Sequence, residues 1–96
     1  MEISKYLMID ERIKYQKFQL SQIKRNKCKK DCYLLCTPVY NRNLFEIIKG
    51  RDLTKKYQSC YLIGLAEDEE TARDYLIQII DKMYNLRELV YEELKA

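Results

Sequence analysis

Ser59-Cys60-Tyr61-Leu62-Ile63-Gly64-Leu65-Ala66 runs straight into Glu67-Asp68-Glu69-Glu70, and the reading of that junction decides the fold. The first eight residues are apolar and rich in strand formers, too short a run for a buried helix, so they are expected to be a strand. The acidic run marks a helix start. Asp68 can cap it, and Glu67, Glu69 and Glu70 place negative charge near the positive end of the helix dipole. Downstream, Ala72, Tyr75, Leu76, Ile79, Ile80, Met83, Leu86, Val90 and Leu94 recur at steps of three or four, an amphipathic pattern of about 25 residues. At 1.5 Å per residue such a helix is about 38 Å long, more than the roughly 32 Å width of a domain this size. It must therefore break near Asn85 or rest its end on a second subunit.

Upstream of the junction, Asp31-Cys32-Tyr33-Leu34-Leu35-Cys36-Thr37 has the same strand character, limited by Pro38, which cannot donate to a ladder. Leu44-Phe45-Glu46-Ile47-Ile48 lies between a turn at Asn41-Arg42-Asn43 and a stop at Lys49-Gly50. Either a strand or a one-turn helix fits there, and the strand, forming a hairpin with 32–37, is preferred. Residues 51–58 form a polar connection with room for one helical turn capped by Asp52. At the amino-terminal end, Tyr6, Ile9, Ile13, Leu20 and Ile23 fit one helical face, so a long first helix is the leading expectation. The alternative is a strand at Tyr6–Ile9 followed by a helix capped at Asp10. The fold class expected is a single α+β domain over residues 1–96. It is a small two-layer arrangement with an N-terminal helix, two or three short and mainly antiparallel strands, and a long C-terminal amphipathic helix, both helices covering one sheet face.

Composition bounds the chemistry. With 47% hydrophobic and 34% charged residues, two glycines and one proline, the 96-residue chain is expected to be compact rather than disordered. No long uncharged apolar run and no signal-like N-terminal stretch precede Asp10 and Glu11, so a soluble cytoplasmic protein is expected. The absence of histidine excludes His-dependent acid–base or nucleophile chemistry and imidazole metal sites. Glu67–Glu70 lacks the ligand spacing and central glycine of an EF-hand. Gly50 and Gly64 are isolated and make no phosphate loop; Gly64 is expected to permit close packing between strand and last helix. The reading is of a protein that is not an enzyme and has no cofactor.

Charge is segregated along the chain. Arg12 to Lys30 carries eight cations and no carboxylate; residues 1–58 have a net charge of +8 and residues 59–96 of −5, together the chain's +3. Lys24, Arg25, Lys27, Lys29 and Lys30 are five cations in seven residues, a candidate for phosphate contact, with Tyr33, Tyr40 and Tyr57 as stacking surfaces for bases. The competing reading is that these cations complement a helix carboxyl terminus. Cys28, Cys32, Cys36 and Cys60 are expected to be reduced. Three at four-residue spacing and one distant do not make the two close pairs of a structural zinc site, and strand alternation puts Cys32 and Cys36 on Leu34's face, and Cys60 on that of Leu62 and Gly64. Cys28, among lysines, is the thiol whose surroundings most favour the thiolate. Tyr84, Tyr91 and Leu94 would lie on one helix stripe, a candidate interface. The leading functional expectation is a protein-interaction or regulatory module, homodimeric through a sheet edge or that stripe; the alternative is a nucleic-acid-binding accessory protein using residues 24–30. No residue pattern names an activity.

Overall fold

The computed structural model describes residues 1–28, 31–40 and 43–95. The junction is as expected: a strand, β4, spans Tyr61–Ala66, and Asp68 accepts the Thr71 backbone N–H at 2.8 Å to cap a helix at Glu69–Tyr84. Ahead of them lie β1 (Glu2–Ile9), α1 (Gln16–Lys24), β2 (Tyr33–Cys36) and β3 (Glu46–Lys49), which makes the helix at Glu69–Tyr84 α2. The preferred hairpin is present, β2 and β3 pairing antiparallel from Tyr33↔Lys49 to Cys36↔Glu46. Short 3-10 turns at Gly50–Asp52 and Lys55–Tyr57 make the connection to β4, and a third at Tyr91–Lys95 follows α2.

Three expectations need correction. The amino-terminal segment is a strand followed by a short helix rather than a long helix, nearer to the alternative, although the strand runs from Glu2 to Ile9 and the helix starts after Tyr15 rather than at Asp10. β1 pairs in parallel with β4, so the described residues form a four-stranded mixed sheet of order β1-β4-β2-β3. Tertiary pairing has overridden a helical pattern whose apolar residues serve a sheet equally well. The two helices do not share one face. Ile23 of α1 packs with Leu34, Cys36 and Leu62 on one side; Ile79 of α2 packs with Leu35 and Ile63 on the other, giving helix–sheet–helix layering. The last helix is shorter than the 25-residue pattern: it breaks near Asn85, the first of the two outcomes its length allowed, and ends at Tyr84 after about 24 Å, inside a molecule 35 Å long. Its final turn opens where the Asn85 and Leu86 N–H groups both donate to the Asp81 carbonyl, and Arg87 takes a left-handed φ of 54°. The chain then folds back, burying Leu89 and Leu94 beneath the sheet.

Irregular pairing in the centre of the sheet shifts which faces its side chains occupy. Leu35 lies opposite Gly64 and Cys36 opposite Leu62, so Ile63 is the extra residue of a bulge. Both Ile63 and Gly64 consequently face α2, and Gly64 leaves the face of Cys60 and Leu62 that strict alternation assigned to it. A Cβ on Gly64 would stand 3.0 Å from Tyr75 Cδ2 and 3.3 Å from Leu35 Cβ, so the expected close approach of strand and helix is real. β1 bows out between its pairings Ile3↔Leu62 and Met8↔Gly64, and the Ser4 hydroxyl there accepts the Tyr6 N–H at 3.2 Å.

Candidate functional site

α2 carries more apolar surface than its packing uses. Ala72 and Ile79 are buried, and Tyr75, Leu76 and Met83 pack partly on the sheet cluster. Ile77, Ile80 and Tyr84 are 62%, 39% and 58% exposed. At about 100° per residue, Ile77, Ile80 and Tyr84 fall within roughly 60° of one another, beside Leu76 and Met83, so the apolar arc is far wider than one core-facing stripe. Arg73 lies on the same line one turn earlier, its guanidinium 2.9 Å from Glu69. The sequence placed Ile80 in the core stripe and passed over Ile77; the available signal was that Ile77 is apolar yet off that stripe.

The residues proposed from sequence as one stripe are separated. Tyr84 closes α2 and is exposed, whereas Tyr91 sits in the 3-10 turn, its hydroxyl donating to the Leu44 carbonyl at 2.9 Å and its ring edge-on to Phe45 at 5.6 Å. Leu94 is fully buried. A break in the helix after Tyr84 removes the periodicity that had joined them.

The basic segment begins at the end of α1. Asn26, at φ 60°, donates to the Ile23 carbonyl, and the Lys27 N–H reaches back to Gln22 O at 3.0 Å, the paired bonds of a Schellman ending. Lys24, Arg25 and Lys27 are exposed, and among the described residues no ion pair engages them. Lys29 and Lys30 lie outside the described residues. Of the candidate stacking tyrosines, Tyr40 is exposed and Tyr33 half-buried. Tyr57 is buried, with its hydroxyl donating to Glu46 at 2.9 Å, and burial followed by that bond pushes its ionisation up.

Two further regions carry polar groups. An open groove of about 730 Å³ beside β3 is lined by Lys49, Arg51 and Lys56 and equally by Glu46, Asp52 and Glu69, so it offers no single sign of charge to a ligand. Asp10, where β1 ends, accepts N–H bonds from Arg12, Glu67 and the Arg12 guanidinium, which also reaches Asp68 at 2.8 Å and Thr71 at 3.0 Å. These bonds hold the Asp10 carboxyl well below the usual carboxylate range, a structural clamp with every acceptor engaged. Burial pushes the Cys36 and Cys60 thiols up, leaving them poor nucleophiles. Among the described residues no group of three or more Cys, Asp or Glu is placed to hold a metal ion, and no helix is long and apolar enough to cross a membrane. No protein-family model, no curated protein and no solved structure matches this chain.

Proposed function

We propose that this protein is a non-catalytic interaction module of the cytoplasm that works as a homodimer through the outer face of α2. The observation that carries the reading is the exposed line Arg73, Ile77, Ile80, Tyr84, whose spacings of four, three and four residues are the same read in either direction. A palindromic line is self-complementary about a two-fold axis. With two copies of α2 antiparallel, Ile77 meets the partner's Ile80, and Arg73 meets the face of the partner's Tyr84, a cation–π arrangement. The antiparallel setting also opposes the two helix dipoles and places the acidic start of each helix beside the partner's Lys82 end. Of the two edges of the sheet, β3 is four residues long with Glu46 and Lys49 at its ends, a short charged edge of the kind that resists pairing.

Light scattering after size exclusion tests this. The expected result is a dimer that becomes a monomer in Ile77→Glu/Ile80→Glu, with an unchanged circular dichroism spectrum. A wild-type chain that stays monomeric at high concentration overturns it.

Lys24, Arg25 and Lys27 are exposed and engaged by no ion pair among the described residues, which supports a second reading, phosphate contact with nucleic acid by residues 24–30. Titration with a short mixed-sequence oligonucleotide at about 50 mM salt gives electrostatic binding its best chance, and no binding there rules this reading out.

A further inference from the structure

The Cys28 and Cys32 sulfurs are in contact at 3.2 Å, and the backbone on both sides of that contact is fixed. The Schellman ending of α1 turns the chain sharply at Asn26 and delivers Cys28 back toward the sheet. Cys32, one residue before β2, accepts the Gly50 N–H through its carbonyl at 2.7 Å, which ties it to the end of β3. Exposure differs between the two: Cys28 is half-buried and reachable from solvent, whereas Cys32 is buried behind it. Lys24, Arg25 and Lys27 precede Cys28, and by sequence Lys29 and Lys30 follow it, a cationic setting of the kind that favours attack by thiolate. Cys36 and Cys60 sit deeper in the same cluster and have no comparable access.

We infer that Cys28 and Cys32 form a reversible redox pair that a peroxide oxidises to an intrachain disulfide, Cys28 being the attacking and Cys32 the resolving thiol. The Cys28 thiolate attacks one oxygen of hydrogen peroxide; the O–O bond breaks, hydroxide leaves and takes up a proton, and Cys28 becomes a sulfenic acid. Cys32 then loses its proton and attacks the sulfenic sulfur. The S–O bond breaks, water leaves, and the S–S bond forms. Two thiols are oxidised by two electrons in all, and one peroxide is reduced to two waters. The closed ring runs from residue 28 to residue 32. A small-molecule dithiol reopens the ring by thiol–disulfide exchange.

The test treats the folded chain with hydrogen peroxide, blocks remaining thiols by alkylation, and maps peptides by mass spectrometry without reduction. The expected product is two hydrogens lighter, retains two alkylatable thiols at Cys36 and Cys60, and yields a Cys28–Cys32 cross-linked peptide that dithiothreitol abolishes. In Cys32→Ser, dimedone is expected to trap a sulfenic acid on Cys28; in Cys28→Ser, the cross-link and the trapped adduct are both expected to be lost. Cys36→Ser is expected to cross-link as wild type does. Alkylation of all four cysteines after peroxide, over-oxidation of Cys28 without a cross-link, or a disulfide joining separate chains would each overturn the inference.

Discussion

The Arg12 guanidinium lies 2.7 Å from Asp10, in a pair where Asp10 is almost wholly buried, with a side chain 7% exposed, while Arg12 is half in solvent. The same carboxylate accepts the Glu67 N–H at 3.0 Å, so one side chain joins the end of β1 to the entry of α2. Removing it leaves the Arg12 and Glu67 N–H groups short of an acceptor. Asp10→Ala is expected to cost about 3 kcal/mol, most of it from the backbone and charge-assisted bonds rather than from the solvent-screened ion pair. Asp10→Asn, which keeps one carbonyl acceptor, should cost less. Urea unfolding of both variants checks the order.

Acid stability should depend on the same group. The folded-state carboxyl is held well below its usual value, chiefly by Arg12, so its contribution is fully present above the unfolded pKa near 4 and is lost as pH falls below that. Between about pH 4 and pH 2 the wild type is expected to lose stability more steeply than Asp10→Asn. Parallel slopes for the two proteins in that window would show that Asp10 does not carry the acid sensitivity.

At the alkaline end the sign reverses. Tyr57 ionises later in the folded than in the unfolded chain, because of burial first and the bond to Glu46 second, so its contribution is present below about pH 10 and lost above it. In an ultraviolet titration of phenolate absorbance, one tyrosine should ionise only together with unfolding. Tyr57→Phe should remove that linked step at a cost of about 1 kcal/mol at neutral pH.

Gly64→Ala sets two effects against each other. Lower backbone entropy in the unfolded chain favours alanine by about 0.5–1 kcal/mol, but the new methyl meets Tyr75 Cδ2 at 3.0 Å and Leu35 Cβ at 3.3 Å. Overpacking of this kind costs about 1–3 kcal/mol, so a net loss of about 1 kcal/mol is expected. Tyr75→Leu should relieve it, and a double-mutant cycle should report that coupling between positions 64 and 75.

The folded-back tail is part of the core. Leu94→Ala is expected to cost about 2–5 kcal/mol, as for other fully buried leucines, whereas Val90→Ala, on the exposed side, should change stability by less than about 0.5 kcal/mol. Thermal melts of the two distinguish this arrangement from an extended helix, in which both would be modest.

The two ends of α2 differ in how far the sequence could disclose them. Its start was legible because capping is local: Asp68 and Thr71 need only each other. Its end was legible only as a choice between a break near Asn85 and a second subunit, because Leu86, Val90 and Leu94 continue the helical period; after the break, Leu89 and Leu94 pack in the cluster of Leu35 and Ile63. β1 was obscured for a related reason. Ile3, Tyr6 and Ile9 suit a helix or a strand, and the partner that decides lies almost sixty residues away. Of the candidate interface, Tyr84 was legible, but as part of a stripe with Tyr91 and Leu94 that the break after α2 takes apart. Ile77 and Ile80 were hidden because spacing cannot tell which part of a wide apolar arc the sheet will cover. The cysteine pair was visible as a four-residue spacing, but its contact depends on the chain reversal at Asn26, a left-handed residue within a run otherwise dominated by lysines.

The parallel partner of β1 is β4, with Glu2 set against Tyr61 and Ile9 against Leu65. During synthesis the first strand therefore leaves the ribosome long before the segment that completes its ladder exists, and for that interval it is an unpaired edge. Closing so distant a pair late is slow, and until it closes nascent β1 is open to chaperones and to misassociation with neighbouring chains.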